Sequence, residues 1–136
     1  MKLISKTLII LLALVSFASC DLGGDNDTPQ NCNYQAGIGT TAVTGATTAA
    51  VNEEITLTVS FTLANNCGSF LLYNEVNQSN NDKIITVNAK FEGCGCDNIE
   101  VRKTAPYKFK AVAAGVYNLK FRKNNTEYIT HTITVS

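Results

Sequence analysis

The chain has 136 residues, with 11 Lys and Arg against 11 Asp and Glu, a single His and no Trp. Zero formal net charge excludes the basic field that nucleic-acid binding requires. The length suits one domain with a small core. The first element is an apolar run, Leu8 to Phe17, preceded by Lys2 and Lys6 and followed by Ala18, Ser19 and Cys20. A basic start, a short apolar stretch and small residues form a secretory signal. A run of ten residues is too short to span a bilayer, which needs roughly 20 in a helix.

Ordinary cleavage wants small residues at both −1 and −3, yet Phe17 would stand at −3 before Cys20. Ser19–Cys20 with Phe17 upstream resembles the looser lipoprotein box of Bacteroidetes outer-membrane lipoproteins. The resemblance implies that residues 1–19 are removed and that Cys20 is acylated and becomes the first residue. Several acyl chains then hold it stably to the outer membrane, facing the periplasm or the cell surface. Lys2 and Lys6 leave with the signal, so 9 basic residues face 11 acidic ones from Cys20 onward.

Residues 20–33 are rich in Gly, Asp and Asn, with Pro29 among them, and show no apolar period. They form a flexible tether. Asp21, Asp25 and Asp27 also resemble the acidic surface-export signal of such lipoproteins.

The domain, 34–136, reads as strands. Ile55, Leu57, Val59, Phe61 and Leu63 alternate with Glu54, Thr56, Thr58, Ser60 and Thr62. Period two with β-branched residues marks a strand with one buried face. The pattern predicts about seven strands, at 36–46, 53–64, 69–76, 83–92, 98–111 (interrupted near Pro106), 116–123 and 127–135. Asn65-Asn66, Ser79 to Asp82, Ala114-Gly115 and Asn124-Asn125 supply the turns. No segment has helical periodicity. An all-β, antiparallel two-sheet sandwich follows, since a single sheet would leave these apolar faces wet.

The run Tyr107 to Phe121, with Gly115-Val116-Tyr117 opening a strand, resembles the E–F corner of immunoglobulin-like and fibronectin-like domains. The resemblance implies an immunoglobulin-like sandwich in which the Tyr117 hydroxyl bonds back to the corner. With no Trp, Phe70 or Leu72 must fill the usual strand-C anchor position.

With Cys20 assigned to lipid, Cys32, Cys67, Cys94 and Cys96 remain, an even number that suggests two disulfides. Cys94 and Cys96 cannot readily bond each other across Gly95. Cys67 therefore takes one of them and Cys32 the other, with both pairings open. The rival reading is a metal or redox site at Cys94 and Cys96, but zinc sites usually gather four ligands at other spacings.

Little else carries chemistry. His131 has the parity of Ile129, Ile133 and Val135, as a core or rim residue does. Glu53 and Glu54 point to opposite faces; Glu92, Asp97 and Glu100 match no calcium loop. Lys108 and Lys110 fall on one outer face and Lys120 and Arg122 on the other if their strands lie in different sheets. Tyr34, Tyr73 and Tyr128 are candidate exposed aromatics; without Trp they support a glycan site only weakly. Tyr73 has the opposite parity to Phe70 and Leu72, which points it outward. No cofactor is called for. These features suit a non-enzymatic, membrane-anchored binding or scaffolding module with an envelope protein as partner. The alternatives are a protease inhibitor using loop 92–106 and a metal-handling lipoprotein using Cys94 and Cys96.

Overall fold

The computed structural model describes residues 32–136, so the signal, Cys20 and most of the tether lie outside the described residues. Nine strands follow in order: β1 (Tyr34–Ile38), β2 (Thr40–Thr44), β3 (Thr48–Ala49), β4 (Glu54–Leu63), β5 (Gly68–Asn77), β6 (Asp82–Phe91), β7 (Val101–Lys110), β8 (Gly115–Arg122) and β9 (Tyr128–Val135). They form two sheets. The smaller runs β2-β4-β7; the larger runs β1-β6-β8-β9-β3, with β5 on the other edge of β6.

The alternating residues do what their period demands. Leu57, Val59, Phe61 and Leu63 of β4 are fully buried, while Glu54, Thr56 and Thr58 face water. Ile85, Val87 and Ala89 of β6 and Leu119 and Phe121 of β8 meet them from the other sheet. A chain of rings crosses the core. Phe61, Phe70, Tyr73, Tyr107 and Phe121 follow one another at centroid separations of 6.1, 4.8, 5.1 and 5.3 Å. Of the two candidates Phe70 and Leu72, Phe70 packs against the core and Leu72 is 47% exposed.

The reason is a bulge. Phe70 pairs with Ala89 and Leu72 with Asn88, so Leu71 is an extra residue on β5. The extra residue reverses parity. Tyr73 therefore points inward beside Phe70, and its hydroxyl donates to the Ala105 carbonyl at 3.0 Å. The outward orientation expected for Tyr73 is thus corrected.

Three further expectations change. First, the pairing is not all antiparallel. β6 runs parallel to β8 and β3 runs parallel to β9. Second, the strand expected over 36–46 is cut in two at Gly39. β1 pairs with the Val87–Phe91 half of β6, and β8 pairs with the Asp82–Ile85 half. With β5 on the opposite edge, β1 and β8 lie end to end, so the chain leaving β1 runs into the end of β8 and turns into the other sheet as β2. At that crossing a Cβ on Gly39 would stand 2.3 Å from the Lys123 carbonyl oxygen, so no side chain fits. Third, β7 runs unbroken through Pro106, which pairs with Thr58. β7 is an edge strand, where a proline without an N–H is tolerated.

Candidate functional site

Strand directions sort the loops into two ends. β4 and β6 finish, and β5 and β7 begin, at the end that holds the cysteines. The opposite, distal end carries the β5–β6 turn, the β7–β8 turn and the chain's last residue.

The cysteine end is a clamp built around Phe91. Tyr34 of β1 and Gly68 of β5 flank Phe91 on its two edges. The Tyr34 ring stacks on Phe91 at 4.6 Å and 10°. On the other side a Cβ at Gly68 would stand 2.7 Å from the Phe91 ring, so glycine is what lets that ring lie flat against β5. Cys32 and Cys67 each lie just upstream of these flanking residues. The Cys94-Gly95-Cys96 segment reaches both, bonding Cys32 to Cys94 and Cys67 to Cys96, with Cα separations of 5.1 and 5.6 Å. One short segment thus staples both neighbours of β6.

Hydrogen bonds reinforce the same contacts. Gly93 N–H donates to the Asn33 side chain at 3.0 Å. Asn66 donates from Nδ2 to the Asp97 carboxylate at 2.9 Å and accepts from the Asp97 N–H at 3.0 Å. Asp97 is therefore a loop fastener rather than a cation ligand. Because Cys94 and Cys96 are both in disulfides, neither offers a thiolate, and the metal reading loses its ligands. Among the described residues no group of three His, Cys, Asp or Glu is placed to hold a metal. Of the stretch 92–106, residues 101–106 belong to β7, so the loop is shorter than expected. Its exposed apolar residue is Ile99, at 56%.

The distal end has no covalent tie. Asn80 and Asn81 both have positive φ, 60° and 59°, and Asp82 N–H donates to the Ser79 carbonyl at 3.3 Å. This is the primed turn that suits a hairpin's twist, and Asn accepts its backbone. Asp82 then binds Lys120 at 2.5 Å and Asn118 at 2.9 Å, and Asn118 accepts from Thr132 at 3.0 Å. This polar network crosses β6, β8 and β9 and pins the parallel pairing. Lys120, then Asn118, hold the Asp82 carboxyl below its usual range. Beside it an open groove of about 400 Å³ runs between the turn and Lys110 to Val112.

Gly115 opens β8, and the Tyr117 hydroxyl donates to the Ala113 carbonyl at 2.9 Å. The hydroxyl thus bonds back across the turn that precedes its own strand. Tyr117 also packs edge-on against Phe109 at 5.4 Å.

The remaining candidates are satisfied locally. His131 sits at the rim with Nε2 2.9 Å from the Ala46 carbonyl. Glu53 accepts from the Ala50 N–H, and Glu54 pairs with Lys108 at 2.9 Å, which lowers the carboxyl's pKa and raises the amine's. β7 and β8 are in different sheets, so Lys108 and Lys110 do decorate the opposite face to Lys120 and Arg122. Arg122 lies over the Tyr128 ring at 5.4 Å. Burial pushes the Tyr73 phenol up to about 12 and raises Tyr107 further, with the nearby Glu75 carboxylate adding to the second shift. Sequence reasoning missed the Asp82 network. It depends on a parallel strand pair that alternation alone does not reveal.

Comparison with models of known families, with curated proteins and with solved structures gives no match.

Proposed function

We propose that the chain is a lipid-anchored, non-enzymatic envelope module, held through Cys20 and binding or scaffolding a protein partner at its distal loops. The observation that carries this reading is the Cys32–Cys94 bond. It ties the point where the tether enters the domain to the clamp end, so a pull from an anchor is borne by a covalent staple. The same arrangement directs the distal loops, with Val112 80% exposed, away from the tether. Two disulfides also suit an oxidising compartment.

We read the domain as a variant of the immunoglobulin-like sandwich. The Tyr117–Ala113 bond and the three-stranded β2-β4-β7 sheet support this. The parallel β6–β8 pair is what makes it a variant.

The test uses cells making the full chain. The wild type takes up a fatty-acid label and fractionates with membranes, and Cys20→Ala releases it into the soluble fraction. A photo-crosslinker at Val112 then captures an envelope protein. An unlabelled, soluble wild type overturns the anchor; a Val112 probe that recovers nothing, or only this chain, overturns the distal binding site.

A further inference from the structure

The sheet edges differ in how well they are defended. An unpaired edge invites another strand, and proteins block such edges with proline, lysine, bulges or short length. β7 carries Pro106 at its middle, together with Arg102, Lys103, Lys108 and Lys110. β2 has only five residues and a bulge between Thr40 and Ala42. β3 has two residues and covers only Thr134 and Val135 of β9, whose other outward positions are Tyr128, Thr130 and Thr132. β5 is different. Its bulge falls early, at Leu71, and from Leu72 to Asn77 it pairs regularly with β6 on one side only. This segment contains no proline and no lysine, and its single charge, Glu75, is already matched by Lys83 at 2.6 Å.

The outer face of the same segment is unusually apolar. Leu72 and Val76 are 47% and 55% exposed, and Ile84 lies beside Val76 on β6. Outward positions of β4 are Thr, Ser or Glu instead.

The spacing is self-complementary. Two antiparallel copies of β5 related by a two-fold axis through Asn74 place Leu72 of each copy opposite Val76 of the other. Tyr73 then faces Glu75 of the second copy, and no like charges stand directly opposite. Such an isologous contact repeats each favourable pair twice. Apolar residues opposite one another across an antiparallel pair are the unit of sheet stabilisation.

We infer that β5, over Leu72 to Asn77, is a self-association edge at which a second copy of this chain adds its own β5, joining the two larger sheets into one. A partner strand from another protein would gain the same main-chain bonds. It would gain the doubled Leu72–Val76 contact only by chance, and that is the reason to name a second copy. The inference is independent of the anchoring reading.

The experiment places a cysteine at the dyad in the full chain, in cells. Directly opposed Cβ atoms of an antiparallel pair lie about 4.5–5.5 Å apart, close to disulfide reach. Asn74→Cys therefore gives a covalent dimer of this chain on a non-reducing gel, and Thr58→Cys, exposed on the other sheet, does not. Adding Val76→Lys, or separately Leu72→Lys, to Asn74→Cys removes both symmetric contacts and lowers the dimer band about tenfold. Thermal melting by circular dichroism confirms that each variant folds. Four results overturn the inference: no dimer with Asn74→Cys, equal dimer with Thr58→Cys, a cross-link to a different protein, or a dimer band unchanged by both folded lysine variants.

Discussion

At the clamp end, two disulfides and a Tyr34–Phe91–Gly68 stack fasten β1 and β5 to the end of β6. At the distal end, a primed turn and an ion-paired network hold comparable loops without a covalent bond. Both ends cap the same two sheets. The difference is that one end's order is imposed on the unfolded chain as well, while the other end must be re-formed by weak bonds each time the protein folds.

The largest expected effect comes from cutting the clamp. Chain entropy assigns roughly 4 kcal/mol to a bond of the Cys32–Cys94 separation, 62 residues, and about 0.7 kcal/mol less to Cys67–Cys96, 29 residues apart. Urea titration of the Cys32→Ala/Cys94→Ala and Cys67→Ala/Cys96→Ala double variants checks both values. A larger loss from the shorter loop would mean that the staple acts mainly on the folded state. The next effect is steric. Gly68→Ala forces a Cβ toward the Phe91 ring and the Leu63 side chain, and overpacking of this kind costs about 1–3 kcal/mol. A melting temperature unchanged by Gly68→Ala would show that Phe91 swings away freely. At the distal end, Tyr117→Phe removes one hydroxyl bond to Ala113 and keeps the ring against Phe109, so the loss is about 1 kcal/mol.

How much of this was legible depended on whether a feature was local. The burial of Ile55 to Leu63 follows from alternation within β4 and needs no knowledge of its partners. The turn at Asn80-Asn81 and the Tyr117–Ala113 bond are also local, and both were visible. The break at Gly39 was hidden because its cause, the Lys123 carbonyl, lies far along the chain. The bulge at Leu71 was hidden because Phe70-Leu71-Leu72-Tyr73 is apolar or aromatic throughout, so no residue announces the change of parity. Spacing reduced the cysteine pairing to two solutions. Choosing between them required knowing that β1 and β5 lie on opposite edges of β6. The orphan hydroxyl of Thr40, buried at 1% exposure, belongs to the same class, since only the sheet switch at Gly39 puts it inside.

The smallest expected effect separates the two ends by pH. The Asp82 carboxyl is held below its ordinary value of 3.8 by Lys120 and Asn118. A depressed folded pKa means that the unfolded state takes up the proton first as pH falls. The stability that Asp82 contributes is therefore complete well above pH 3.8 and is lost as pH drops through the folded value. Asp82→Asn keeps the residue's size and removes the charge. The gap in urea midpoint between wild type and Asp82→Asn stays constant from neutral pH to about pH 5 and closes below the carboxylate's ordinary value. Disulfides do not titrate, so the gap between wild type and the Cys67→Ala/Cys96→Ala variant persists across the same range. If both gaps close together, acid acts on the sandwich as a whole. If only the Asp82 gap closes, the distal network is the pH-sensitive end, and the clamp keeps its hold on β6 after that network has melted.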